Sequence, residues 1–256
     1  MPELSRRLSV KLTKYCLKSS SSEPIMRSAK SIGRTVGILL LLQLAAGLMV
    51  PFILLLPLVS GSPGFLTAAA ESSFQIRTAV FIFFIGGAFT IALGITSLPV
   101  FRLYSNATAL WFLTVCVISF VLDAVHGSTV MSMLSLSQQY VNGGAADSGL
   151  YQVVGAAVAS SRRWAHAVQL VAIGGWIFVF YSSLLRFALI PRALALLGLL
   201  GIVSQFIGVT LMMFLGYSTI GQMAMPMLPI QIVVAVWLII KGFNEQLPKA
   251  TAEPSF

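Results

Sequence analysis

Charged residues are scarce in this chain of 256 residues: they make up 9% of it, against roughly 25% in a typical soluble domain. Hydrophobic residues make up 57%, and the mean hydropathy is +0.93. A chain with so little charge cannot cover its own surface for water, which excludes a soluble globular protein. The composition instead predicts a polytopic membrane protein whose main partner is the lipid bilayer.

Cysteines and enzyme motifs are also few. Cys16 lies in a basic region and Cys116 in an apolar segment, so no disulfide between them is predicted. The chain has no phosphate-binding loop, GxSxG elbow, HExxH helix or CxxC pair. The sequence therefore contains no motif that supports enzyme chemistry. A non-enzymatic role is favoured, and no particular cofactor is indicated.

Positive charge is concentrated at the front of the chain. The net charge is +9, and eight of the sixteen Lys and Arg precede Val36. A lopsided basic flank is a topology signal, so no nucleic-acid partner is expected. Residues 1–33 are predicted to form a basic cytoplasmic extension, which is either disordered or an amphipathic helix that binds anionic lipid.

Six apolar segments predict an all-α bundle within residues 34–243. Crossing a bilayer takes about 20 apolar residues, and only a helix satisfies its own backbone hydrogen bonds there. The predicted spans are about 36–59, 78–99, 107–126, 164–185, 193–215 and 223–240. We expect Pro51 to kink the first span, and Asn106 or Thr108 to cap the third.

The longest connection is predicted between the third and fourth spans, at about 128–161. Its turn signals are Gln138-Gln139, Asn142-Gly143-Gly144 and Asp147-Ser148-Gly149. The piece from Leu150 to Ala159 is mildly apolar but too short to cross a bilayer. It is interpreted as an interfacial helix that leads into the fourth span.

The distribution of charge predicts that both termini are cytoplasmic. With the N-terminus inside, all but three of the sixteen Lys and Arg lie on the inner side, the exceptions being Arg77, Arg162 and Arg163. An odd number of spans would move Lys241 to the other side, so six spans are self-consistent. Residues 244–256 then form a short cytoplasmic tail.

Ionisable residues in or beside the spans are candidate functional residues. Asp123 and His126 are spaced i, i+3 on the third span, and the topology brings His166 to the same outer surface. Gln169, one turn further on, extends the cluster. One hypothesis is a proton relay, or a metal site with Asp123, His126 and His166 as ligands. The favoured alternative is that all of them lie at the interface and are hydrated there, and no metal is assigned.

Deeper polar side chains are few. They are Gln43 in the first span, Ser204 and Gln205 in the fifth, and Gln231 in the sixth. They either line a small internal cavity or, as is favoured, make interhelical hydrogen bonds worth about 0.6 kcal/mol each. A stripe of small residues along the fifth span predicts close helix approach, within the bundle or between copies in a homo-oligomer. The stripe consists of Ala195, Gly198, Gly201, Ser204 and Gly208.

Several segments in a fixed order carry a resemblance to a known family. They are Trp164-Ala165-His166, Gly174 to Phe178, Arg186 to Gly201, and Trp237 to Phe243. This order, within about residues 34–243, resembles the DUF4386 family of bacterial multi-pass membrane proteins, which has no assigned function. The resemblance implies a location in the bacterial plasma (inner) membrane.

The chain departs from the family pattern in two places. Family members often carry an acidic residue near the middle of the last span, where this chain has Gln231. They also begin close to the first span, so that Met26 is an alternative start and residues 1–25 would then not be translated.

These observations predict an integral membrane protein of unknown biochemical activity that binds or handles a small apolar molecule or lipid. One alternative is a transporter or channel for a neutral or lipidic solute. Another is a membrane-embedded enzyme that uses the outward-facing Asp and His residues, and a third is a structural or accessory protein.

Overall fold

The computed structural model describes residues 29–55, 64–144, 148–217 and 220–244. The regular structure of these residues is helical, and they include no strand. Six helices are long and apolar enough to cross a membrane: Ala29–Met49, Ser73–Tyr104, Asn106–Asn142, Ser148–Arg186, Arg192–Leu215 and Gln222–Lys241. The predicted all-α bundle of six membrane helices is confirmed. Most of the predicted extension 1–33, including Met26, and the tail after residue 244 lie outside the described residues.

Two short helices accompany the long ones. In chain order the helices are α1 (Ala29–Met49), α2 (Phe65–Glu71), α3 (Ser73–Tyr104), α4 (Asn106–Asn142), α5 (Ser148–Arg186), α6 (Arg192–Leu215), α7 (Ile220–Ala224) and α8 (Met227–Lys241). The sixth span, Gln222–Lys241, therefore includes the end of α7 and all of α8. Neighbours in sequence pack against each other from α3 to α6, α8 packs on α6, and α2 packs on α4.

The end of α1 is distorted at Pro51, as expected. Proline has no N–H to donate within a helix, and the backbone widens into a π-helical turn over Val50–Leu54. Gln75 of α3 donates its side-chain amide to the carbonyls of Ile53 (2.9 Å) and Leu54 (3.3 Å). The irregular turn is thereby tied to the neighbouring helix.

A single extended residue separates α3 from α4. Ser105 is the N-cap of α4, and its hydroxyl accepts a hydrogen bond from the backbone N–H of Thr108 at 3.2 Å. The prediction that Asn106 or Thr108 supplies this cap is wrong, because the helix begins at Asn106 and the cap residue precedes it.

The predicted connection at about 128–161 is mostly helical. The turn signal at Gln138-Gln139 was wrong, since both residues lie inside α4, which ends at Asn142. The chain turns at Gly143 and Gly144, where the φ of Gly144 is 65°. The expected interfacial helix at residues 150–159 is part of α5.

Contacts with α2 explain why α4 and α5 remain helical through most of the predicted connection. The Ser137 hydroxyl donates to the carbonyl of Leu66 at 2.8 Å, and the ring of Phe65 packs over Gly155. These contacts belong to an apolar group that we call the α2-side core. It consists of Val50, Leu55, Phe65, Leu66, Ala69, Ile76, Ala79, Val80, Val130, Met133 and Leu134.

The opposite end of the bundle contains most of the large buried rings. The ring centroids of Phe112 lie 5.3 Å from Phe101 and 5.6 Å from Phe180. Tyr181 packs directly on Gly198 of α6, so closely that a side chain there would overlap the tyrosine ring. We call the rings of Phe101, Phe112, Trp176, Phe180, Tyr181 and Phe187 the aromatic core.

The small-residue stripe of α6 packs against other helices of the same chain. Tyr181 of α5 packs on Gly198, and a Cβ atom at Gly201 would lie 2.9 Å from the sulfur of Met227 in α8. This face is therefore covered by α5 and α8, and a homo-oligomer would need another surface. Association between copies stays a prediction.

Candidate functional site

The four predicted polar residues lie on two antiparallel helices. His126 follows the start of α4 by about 20 residues, and His166 precedes the end of α5 by a similar number, a length of about 30 Å. The hydrocarbon layer is also about 30 Å thick. His166 is therefore about one hydrocarbon thickness from Arg186 along α5.

The structure brings Asp123, His126, His166 and Gln169 together, and we call them the polar site. The amide nitrogen Nε2 of Gln169 donates to Oδ1 of Asp123 at 2.7 Å. The amide oxygen of Gln169 lies 3.1 Å from Nδ1 of His166. Because this oxygen can only accept, Nδ1 of His166 carries the proton, and Nε2 of a neutral ring is left as an acceptor.

His126 is the most enclosed member of the polar site, with 1% of its surface exposed. Its ring centroid lies 4.9 Å from that of His166 and 5.1 Å from that of Phe83 in α3. Neither of its ring nitrogens makes a hydrogen bond of good geometry among the described residues, although the side chain of Gln169 lies close to the ring. A buried polar group without a partner is uncommon in native proteins and calls for a specific explanation.

Gly87 of α3 allows this helix to pack closely against Asp123 of the polar site. A Cβ atom at Gly87 would lie 2.5 Å from the ring of Phe120 and 3.2 Å from Oδ2 of Asp123. Any larger residue would push α3 away from the carboxylate. Gly87 therefore sets the enclosure of Asp123, although the sequence offered no motif that identified it.

Arg162 is a neighbour of the polar site that sequence analysis used only as a topology charge. It lies one helical turn before His166, so that Arg162, His166 and Gln169 follow the spacing i, i+4, i+7 on α5. Its Nε atom is buried and has no hydrogen-bond partner within the described ranges. This spacing is visible in the sequence and could have identified Arg162 as a neighbour of His166 and Gln169.

The metal alternative for Asp123, His126 and His166 stays a prediction from the sequence. No group of three or more His, Cys, Asp or Glu side chains in the described part of the chain is placed to hold a metal ion. The amide of Gln169 lies between the carboxylate and His166 and hydrogen-bonds to Oδ1 of Asp123.

The deeper polar residues do not join the polar site. Ser204 donates its hydroxyl to the carbonyl of Met223 at 3.0 Å, which is the helix contact that the sequence favoured over a cavity. Gln205 and Gln231 are buried, and Gln43 is half-buried.

Comparison with known proteins places the bundle in a family. A family model described as "Domain of unknown function (DUF4386)" matches residues 35–242. The chain belongs to the DUF4386 family. The DUF4386 match includes every residue of the polar site, but the family description brings no activity with it. No curated protein and no solved structure matches the chain.

Proposed function

We propose that this integral membrane protein binds a small apolar molecule or lipid and holds the polar group of that ligand in the polar site. The observation that supports this is the buried imidazole of His126, whose two nitrogens make no well-formed hydrogen bond with any residue that the structure describes. Leaving such a group unpaired costs about 1–3 kcal/mol. A hydroxyl or carbonyl group of a ligand would recover that free energy.

The surroundings of His166 suit a ligand with an apolar body. His166 is only partly buried, so it offers a route inward to His126. Leu170 and Ile173 follow His166 by four and seven residues on the same face of α5, and both are half-buried apolar side chains. An acyl or isoprenoid chain would lie along them while its polar end reaches the imidazoles.

The hydrogen-bonded chain favours binding over a proton relay. Gln169 separates Asp123 from His166, and an amide does not titrate near neutral pH. Its role is to fix the orientation of the imidazole and the carboxylate. The transporter and enzyme alternatives stay predictions from the sequence.

The binding experiment compares the small molecules that copurify with three full-length proteins. These are the wild type, His126→Phe, and the control Gln205→Leu, which removes a buried amide of α6 away from the polar site. Mass spectrometry of extracts should find a species that is bound by the wild type and the control and depleted about tenfold in His126→Phe, a loss of about 1.4 kcal/mol. Identical extracts from all three proteins would contradict the proposal.

We also propose that both termini are cytoplasmic and that the polar site faces outward in a bacterial plasma membrane. The support is the clustering of Arg102, Arg186, Arg192 and Lys241 at helix ends on one side of the bundle. In a Cys16→Ser background, Asn142→Cys should react with an impermeant maleimide on intact cells. Arg192→Cys should react only after permeabilisation, and the reverse pattern would refute this orientation.

A further inference from the structure

Two chain segments meet at the end of the bundle opposite the polar site. Gly242, which follows α8, has a φ of 73°, and a Cβ atom there would lie 2.5 Å from the carbonyl oxygen of Lys30. A side chain at Gly33 would overlap the backbone of Phe243. The two glycines therefore allow the first turn of α1 to touch the exit of α8.

The turn between α5 and α6 holds the same exit in place. The backbone N–H of Asn244 donates to the carbonyl of Leu189 at 2.8 Å. Its side-chain amide donates to the carbonyl of Ala188 at 3.2 Å. Ala188 itself has a φ of 50°, which residues other than glycine seldom adopt. The position of Asn244 is thus fixed by backbone contacts.

These contacts shape a shallow, open cavity of about 270 Å³, lined by Lys30, Trp237, Lys241, Phe243 and Asn244. Drug-sized ligands usually occupy pockets of about 300–1,000 Å³, so this one suits a small group. Trp237 precedes Lys241 by one helical turn and lies on the same face of α8. An indole next to a lysine is typical of the boundary between the hydrocarbon layer and the headgroups.

We propose that this cavity binds the phosphate group of an anionic lipid at the membrane surface. Lys30 and Lys241 supply two ammonium groups, and lysine binds phosphate as a compact positive charge. Asn244 adds a fixed amide, and Trp237 adds an apolar wall for the glycerol part of the lipid. Basic pockets between membrane helices bind anionic headgroups in the same manner.

The test measures binding of dioleoyl phosphatidylglycerol to the full-length protein in detergent by native mass spectrometry. Dioleoylglycerol, which has the same chains and no phosphate, is the matched ligand. The wild type should bind the phospholipid more tightly than dioleoylglycerol. Lys241→Gln and Lys30→Gln should each weaken that binding about fivefold, and Lys241→Arg should retain it.

Two control variants separate this site from other effects. Arg102→Gln removes a positive charge at the end of α3 that does not line the cavity, and it should leave binding unchanged. Gln205→Leu should also leave it unchanged, because Gln205 is buried in α6 and does not line the cavity. Equal losses in Arg102→Gln and Lys241→Gln, a loss in Gln205→Leu, or equal binding of dioleoylglycerol would overturn the proposal.

Inorganic phosphate is the competing source of the same chemistry. If the anion is taken from the membrane, millimolar phosphate should not displace the phospholipid. Displacement that depends on Lys241 would support the anion site and assign it to free phosphate. Displacement that is equal in wild type and Lys241→Gln would refute a specific site.

Discussion

The aromatic core and the polar site share helices α4 and α5 and differ in the groups that they bury. In the aromatic core, large rings of α4 and α5 pack on one another and on Gly198. Two of its rings, Trp176 and Tyr181, each bury one polar atom that has no hydrogen-bond partner among the described residues. In the polar site, neither buried nitrogen of His126 makes a well-formed hydrogen bond to a described residue.

This difference separates a region of α4 and α5 that stabilises the bundle from a region that we assign to ligand binding. Apolar packing stabilises a membrane bundle without a requirement for any ligand. An unpaired imidazole lowers stability, and proteins retain such groups mainly where function uses them. Changes in the aromatic core and in the polar site should therefore alter stability with opposite signs.

The largest effect on packing inside the bundle is expected from Gly198→Ala in α6. The added methyl group would overlap the ring of Tyr181, which is fully buried, and overpacking of this kind costs about 1–3 kcal/mol. Thermal unfolding in detergent should show a clear loss of stability. The control is Gly175→Ala, where a Cβ atom meets nothing within 4 Å, and this variant should be neutral or slightly more stable. Equal loss in both variants would contradict the close packing of α5 and α6.

A smaller effect of opposite sign is expected from His126→Phe. Phenylalanine keeps a flat ring between Phe83 and His166 and removes two unpaired nitrogens. The ligand-free protein should become more stable by about 1–2 kcal/mol while ligand binding is lost. Lower stability in the same unfolding measurement would show that the imidazole has a partner and would remove the main support for the proposed function.

Ser137→Ala tests the α2-side core, beyond the polar site on α4. The hydroxyl of Ser137 ties α4 to the carbonyl of Leu66 in α2. Its loss should cost about 1 kcal/mol and raise amide hydrogen exchange in α2 more than in α6. Uniform exchange throughout the protein would mean that α2 does not depend on this contact.

The smallest effect is expected from Val153→Lys near the start of α5. Val153 is 71% exposed and precedes His166 by more than three turns, which places it beyond the hydrocarbon layer. Its replacement should change stability by less than about 0.5 kcal/mol. Ile118→Lys, at an exposed position inside the predicted third span, should cost about 2.5–3.5 kcal/mol and reduce insertion into membranes. Similar costs at both positions would place the start of α5 in the bilayer.

Sequence patterns predicted those parts of the molecule that depend on local chemistry. Apolar runs identified the six membrane helices, and the i, i+3 spacing placed Asp123 and His126 on one face of α4. Gln169 was expected only to extend the cluster. Its position between Asp123 and His166 depends on the rotation of α5 against α4, which packing decides.

Long-range packing explains what the sequence did not predict. Polar residues such as Gln138 and Gln139 indicate turns when they are considered alone, but α2 covers this part of α4 and keeps it helical. Gly87 also looked ordinary within its helix. Its importance comes from Asp123 and Phe120 of the neighbouring helix.

The continuous helices of α4 and α5 also offer a practical means of experimental structure determination. A membrane protein of 27.5 kDa is small for single-particle electron microscopy. Both helices, of 37 and 39 residues, are longer than the roughly 20 residues that cross a bilayer, and they are joined at the turn that begins at Gly143 and Gly144. A rigid soluble helical bundle, inserted at that turn so that both helices continue without a break, would add mass with a fixed orientation.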